Sequence, residues 1–182
     1  MTNQTAAQAR RSLSLGYSVP IIGGALAIVF GLIVYDLTRT ELDVWIWVII
    51  QAILGTALVL GTRLSTRAHH YSLAREKQVG ATKGARNLNF ILGIIWSVVV
   101  GIMSFAFAST AVNKLQTWPA VPVGNGTAMK NPMPVIHAVT LESFLGDFLS
   151  AFALLVLVVV GFYLLIIERT REPEVSPRAK SI

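Results

Sequence analysis

Cysteine is absent from this chain, which excludes a disulfide framework, a thiolate metal centre and a cysteine nucleophile. Charge is scarce as well. Only 13% of the residues are Asp, Glu, Lys or Arg, about half the share of an ordinary soluble domain. The scarcity is concentrated in four stretches, about 18–35, 44–61, 88–109 and 144–167. None of them holds a Lys, Arg or His, and Asp147 is the one ionised side chain well inside them. With no histidine in these stretches, a bis-histidine haem between them is excluded on ligands. A copper or di-iron centre has no evident ligands there either. No serine sits in a Gly-x-Ser-x-Gly elbow, so that route to a serine nucleophile is also missing.

What the chain does have is apolar length. Of its 182 residues, 54% are hydrophobic, and each of the four stretches approaches or exceeds the roughly 20 residues a spanning helix needs. Backbone hydrogen bonds must close within the segment in hydrocarbon, which favours helices. A transmembrane barrel needs alternating polarity, and the run Leu154-Leu-Val-Leu-Val-Val-Val160 does not alternate. The expected fold is therefore an all-α membrane protein, a four-helix transmembrane bundle. The first stretch is too long for a cleaved signal core and ends in Tyr35-Asp36-Leu37 rather than in a small-x-small site, so it reads as a retained span.

The basic residues give the orientation. Twelve of the fifteen Lys and Arg fall in the N-terminal segment 1–17, the loop 62–87 and the C-terminal segment 168–182, and only Arg39, Lys114 and Lys130 fall on the other side. Basic residues near span ends stay on the cytoplasmic side, so both termini are expected to be cytoplasmic, which requires an even number of spans. Residues 18–167 form the transmembrane domain on this reading. Tyr17 and Tyr163 fall near the cytoplasmic ends, and Tyr35, Trp45 and Trp47 near the outer ends, as interfacial aromatics do.

The connections differ in kind. A short turn joins the first two spans. The first half of the loop 62–87 lacks Gly and Pro and is expected to continue helix two, whereas 79–86 carries Gly80 and Gly84 and is expected to turn. The outer loop 110–143 contains Pro119, Pro122, Pro132 and Pro134 with Gly124 and Gly126, which is turn chemistry. The polar C-terminal segment holds Pro173 and Pro177 and is expected to be disordered without a partner.

Spans associate through close packing of small residues rather than through burial. The third span carries such a stripe on one helical face, Gly93, Ser97, Gly101, Ser104 and Ala108, which serves either the bundle itself or a docking face for another subunit. Gln51 lies mid-membrane and needs a partner, for which Ser97 and Ser104 are candidates. Trp96, two turns into the third span, reads as a packing residue.

Asp147 is the first candidate for chemistry. An ionisable residue within a span is costly and often functional, but near a helix N-terminus an Asp is also favoured by the macrodipole. Asp147, Glu142 and His137 share the outer side as a candidate ion, proton or salt-bridge site, although their spacing of five keeps no common helical face. His69 and His70 lie on the opposite side and read as a solvated face. Arg63, Arg67, Arg75, Lys77, Lys83 and Arg86 would contact anionic lipid headgroups, each contributing about 1 kcal/mol near the surface. The cluster has few interleaved aromatics, so no nucleic-acid partner is expected. Asn125-Gly-Thr127 fits the short glycosylation sequon.

These readings assign no catalytic, cofactor-binding or metal residue. The function they favour is a non-catalytic accessory subunit of a larger membrane complex, of respiratory or transport type, with membrane lipids and other integral-membrane subunits as partners. A small ion or solute transporter acting as a homo-oligomer is the alternative, followed by a quinone- or lipid-interacting enzyme subunit. The expected location is the plasma membrane of a prokaryote.

Overall fold

A computed structural model describes residues 2–38, 44–73, 79–117 and 141–171, with side chains described for 4–33, 44–73, 79–116 and 144–171. Among these the protein is all-helical: α1 (Thr2–Thr38), α2 (Val44–Leu73), α3 (Val79–Thr117) and α4 (Leu141–Thr170). Each helix is long and apolar enough to cross a membrane, and the chain is a multi-pass membrane protein.

The helices outrun the apolar spans. With 30 to 39 residues each, they extend about 45–58 Å at 1.5 Å per residue, against a hydrocarbon core of about 30 Å. Much of the excess collects at one end, where α1 begins, α2 and α3 meet and α4 finishes. This is also the end rich in Lys and Arg, and it is called the basic end below. Residues 2–17 and 62–73 are helical there. The continuation of helix two past the span was expected, but the turn at 79–86 is not found, since α3 starts at Val79. Gly80 and Gly84 do not stop it. A glycine costs a helix only about 1 kcal/mol relative to Ala, and the same turns bury Thr82 and Ala85 almost completely. Tertiary packing outweighs the local preference.

α2 is the hub. It packs antiparallel on α1 and on α3 and runs beside α4, while α3 and α4 pack on each other. Among the described residues α1 meets α3 only slightly and α4 not at all. A strip of α2 (Ala52, Thr56 and Leu60) is therefore shared by the groove beside α1 and the groove beside α4. The core lies between α2, α3 and α4 and consists of Val48, Leu58, Trp96, Val100 and Leu154.

Close approach is set by small residues. Gly16 and Gly61 let α1 and α2 touch at backbone distance: a Cβ on Gly61 would stand 2.6 Å from Pro20 Cγ and 3.0 Å from the Gly16 carbonyl. Trp96 lies against two glycines, Gly55 of α2 and Gly161 of α4, either of which would collide with the indole if it carried a Cβ.

Candidate functional site

The polar groups buried in this apolar bundle gather at three levels. The most tightly built is at the basic end, and it begins with Pro20 inside α1. A proline has no N–H, so the carbonyl four residues earlier loses its helical donor. That carbonyl belongs to Gly16. Asn89 of α3 supplies the replacement. Its Nδ2 lies 3.2 Å from Gly16 O, 3.2 Å from Gly61 O and 2.7 Å from Ser65 Oγ. One amide thus ties α1, α2 and α3, with two hydrogens shared among three acceptors. Asn89 is about 1% exposed, where an unmatched polar group would be costly. Sequence reasoning missed Asn89. The available signal was Pro20 inside α1, because the Gly16 carbonyl it frees is buried and demands a donor from elsewhere.

Two turns further along α2 a second polar group forms outside the span. His69, eight residues or about 12 Å beyond Gly61, is buried rather than solvated, which corrects the sequence reading. Its Nδ1 is 3.4 Å from Thr82 Oγ1, and the Thr82 and Ser72 hydroxyls are 2.8 Å apart. Burial lowers the His69 pKa below its usual 6.5, and the positive charges of Arg86, His70 and Lys83 add to the effect. The neighbouring His70 faces α4, where its Nε2 meets the Arg171 carbonyl at 3.1 Å. Glu168 lies between two guanidiniums, 3.9 Å from Arg63 Nε and 3.6 Å from Arg171 Nη1. Arg169 stacks over Phe90, 4.0 Å from the ring centroid, a cation–π contact.

At mid-membrane Gln51 is buried, and its Nε2 lies 3.7 Å from Met103 Sδ. The expected partners Ser97 and Ser104 bond elsewhere: Ser97 donates to Gly93 O of its own helix, and Ser104 donates to Ala151 O of α4 at 2.8 Å. Within the small-residue stripe, Gly93 sits against Leu165, whose Cδ1 would be 2.5 Å from an added Cβ, whereas a Cβ on Gly101 would meet nothing within 4 Å. Part of the stripe therefore seats α4, and part is left open.

At the opposite end Asp147 of α4 is buried and paired with Lys114 of α3, Nζ to Oδ2 2.6 Å. The two helices are joined there by charge. Glu142 lies in the first turn of α4, but its side chain is outside the described residues, as are His137, Arg75, Lys77 and the sequon at Asn125. Of the remaining basic candidates, Arg67 and Lys83 are exposed, while Arg63 and Arg86 are partly buried. Among the described residues no three His, Asp or Glu converge as a metal site would require. No protein-family model, curated protein or solved structure matches the chain.

Chemically, the arrangement offers fixed hydrogen bonds and ion pairs between helices. The two grooves beside α2 and a third between α3 and α4 are overwhelmingly apolar, which suits lipid or another helix.

Proposed function

We propose that this protein is a non-catalytic accessory subunit of a larger integral-membrane complex. The observation that carries the reading is how the bundle uses its polar groups. Gln51, Asn89, Ser104 and Asp147 each meet a partner on a neighbouring helix. Trp96, Val100 and Leu154 fill the centre between them. A transporter would need a polar path and an ionisable group that changes partners. Here the first candidate, Asp147, is matched by Lys114, which weighs against that alternative. The open side of the α3 stripe, at Gly101, is where a partner helix could approach closely.

On this reading, extraction in a mild detergent leaves the chain co-migrating with larger membrane proteins on a native gel. Gly101→Leu weakens that association without changing helix content. A single monomeric band from native membranes, with no partner recovered after cross-linking in the membrane, contradicts the proposal.

A further inference from the structure

His69 stands beyond the span and lies against the first turn of α3. It is 7% exposed. Its ring reaches Thr82, the fourth residue of α3, at 3.4 Å, and Thr82 in turn meets Ser72 of α2 at 2.8 Å. The two helices are joined here through one imidazole and two hydroxyls, and none of these carries charge while the ring is neutral.

The surroundings oppose a charge on that ring. A helix N-terminus is the positive end of its dipole, and the first turn of α3 holds no acid. Burial holds the His69 pKa below 6.5, and the cations Arg86 and Lys83 of α3 and His70 of α2 lower it further. The other cations of this end point elsewhere. Arg10 and Arg11 of α1 and Arg67 of α2 are exposed, and Arg169 of α4 stacks on Phe90. Glu168 of α4 is held by Arg63 and Arg171. Among the described residues no carboxylate pairs with His69. Arg75, Glu76 and Lys77 lie outside the described residues. His70 differs from its neighbour, because it sits in the last turn of α2, where a cation is favoured.

The fold also marks which segment would move. Gly80 and Gly84 weaken the first turns of α3, so those turns are held by packing at Thr82 and Ala85. Seven residues after Thr82, Asn89 ties α3 to α1 and α2 through an amide that does not titrate. The turns before Asn89 can part from α2 while that tie stays in place.

We infer that His69 is an acid-sensitive latch: when its neutral ring takes up a proton, the first turns of α3 part from α2, with Asn89 as the hinge. In the parted form the ring titrates near its ordinary 6.5, and in the closed form only below that. Closure is therefore full above 6.5 and weakens as the pH falls through the interval between the two. The latch does not depend on the accessory-subunit reading.

The test is dipolar EPR spectroscopy of the full chain in lipid nanodiscs. Nitroxides are placed on Tyr71→Cys and Ala81→Cys, both exposed, in a chain with no other cysteine. The distance distribution should be narrow at neutral pH. In acid it should lengthen and broaden reversibly, with a midpoint below 6.5. His69→Gln should stay narrow throughout, whereas His70→Gln and Glu76→Gln should keep the transition. Lys83→Glu, at an exposed position, sets a carboxylate near the ring and should hold the closed distribution to lower pH. A distribution that ignores pH, a transition that survives in His69→Gln, or one that is lost in His70→Gln or Glu76→Gln would each overturn the latch. If His69→Gln is already broad at neutral pH, Lys83→Glu decides alone, and an unshifted midpoint then overturns it.

Discussion

At the basic end three helices meet on the neutral amide of Asn89, whereas at the opposite end α3 and α4 meet on the ion pair of Lys114 and Asp147. The amide is almost fully buried and bonds backbone carbonyls, whose positions the helices fix. The ion pair joins two side chains, and the lysine is 29% exposed, so water can replace part of its interaction. The two ends therefore differ in tolerance. The amide knot depends on backbone geometry set by Gly16, Pro20 and Gly61, and a change in any of these alters all three helices. The charged pair depends mainly on sign.

The largest effect is expected at the backbone contact itself. Gly61→Ala places a methyl against Pro20 and the Gly16 carbonyl and should destabilise the protein by about 2–3 kcal/mol, the upper part of the range for overpacked cores. Loss of helicity on titration with SDS in mixed micelles measures this. A value near zero would mean that α1 and α2 do not approach as closely as described.

Asn89→Ala comes next, at about 2 kcal/mol, the cost of leaving buried acceptors unmatched. Its dependence on Pro20 sharpens the comparison. Pro20→Ala returns a helical donor to the Gly16 carbonyl, so Asn89→Ala should cost about 1 kcal/mol less in that background. Strict additivity in the double-mutant cycle would break the link between proline and amide.

Asp147→Asn and Lys114→Met should each cost about 1 kcal/mol, less than a fully buried pair because the lysine is partly in water. The double variant should cost less than the sum. If the double variant were as costly as both singles added, the two ends would not differ in the way described. The smallest effect has the opposite sign. Gly84→Ala, where a Cβ meets open space, should stabilise by about 0.5–1 kcal/mol through helix propensity, readable as a higher midpoint in the same titration.

Hydropathy made the four spans legible, because long apolar runs without Lys or Arg have few other solutions. Helix ends were less so. Gly80 and Gly84 argued for a turn, but the helix persists, with Thr82 meeting His69 and Ser72 of α2 and Ala85 fully buried. His69 read as solvated for the same reason: its cover comes from α3, and residue type alone does not reveal it. Trp96 was legible as packing, although its glycine neighbours Gly55 and Gly161 were not. Gln51 was recognised as needing a partner, but the partner is a thioether, which a search for hydroxyls overlooks. Asn89 was missed because an amide at a span end looks like an interfacial residue until Pro20 and the carbonyl it frees are considered together.

The account rests most heavily on four crossings, with the start of α1, the end of α2, the start of α3 and the end of α4 expected on one side of the bilayer. The chain has no native cysteine, so single cysteines report sides directly. With Ser12→Cys, Ala81→Cys and Thr127→Cys variants in intact cells, a membrane-impermeant maleimide should label Thr127→Cys alone, and the other two only after permeabilisation. Labelling of Ala81→Cys and Thr127→Cys from the same side would contradict it.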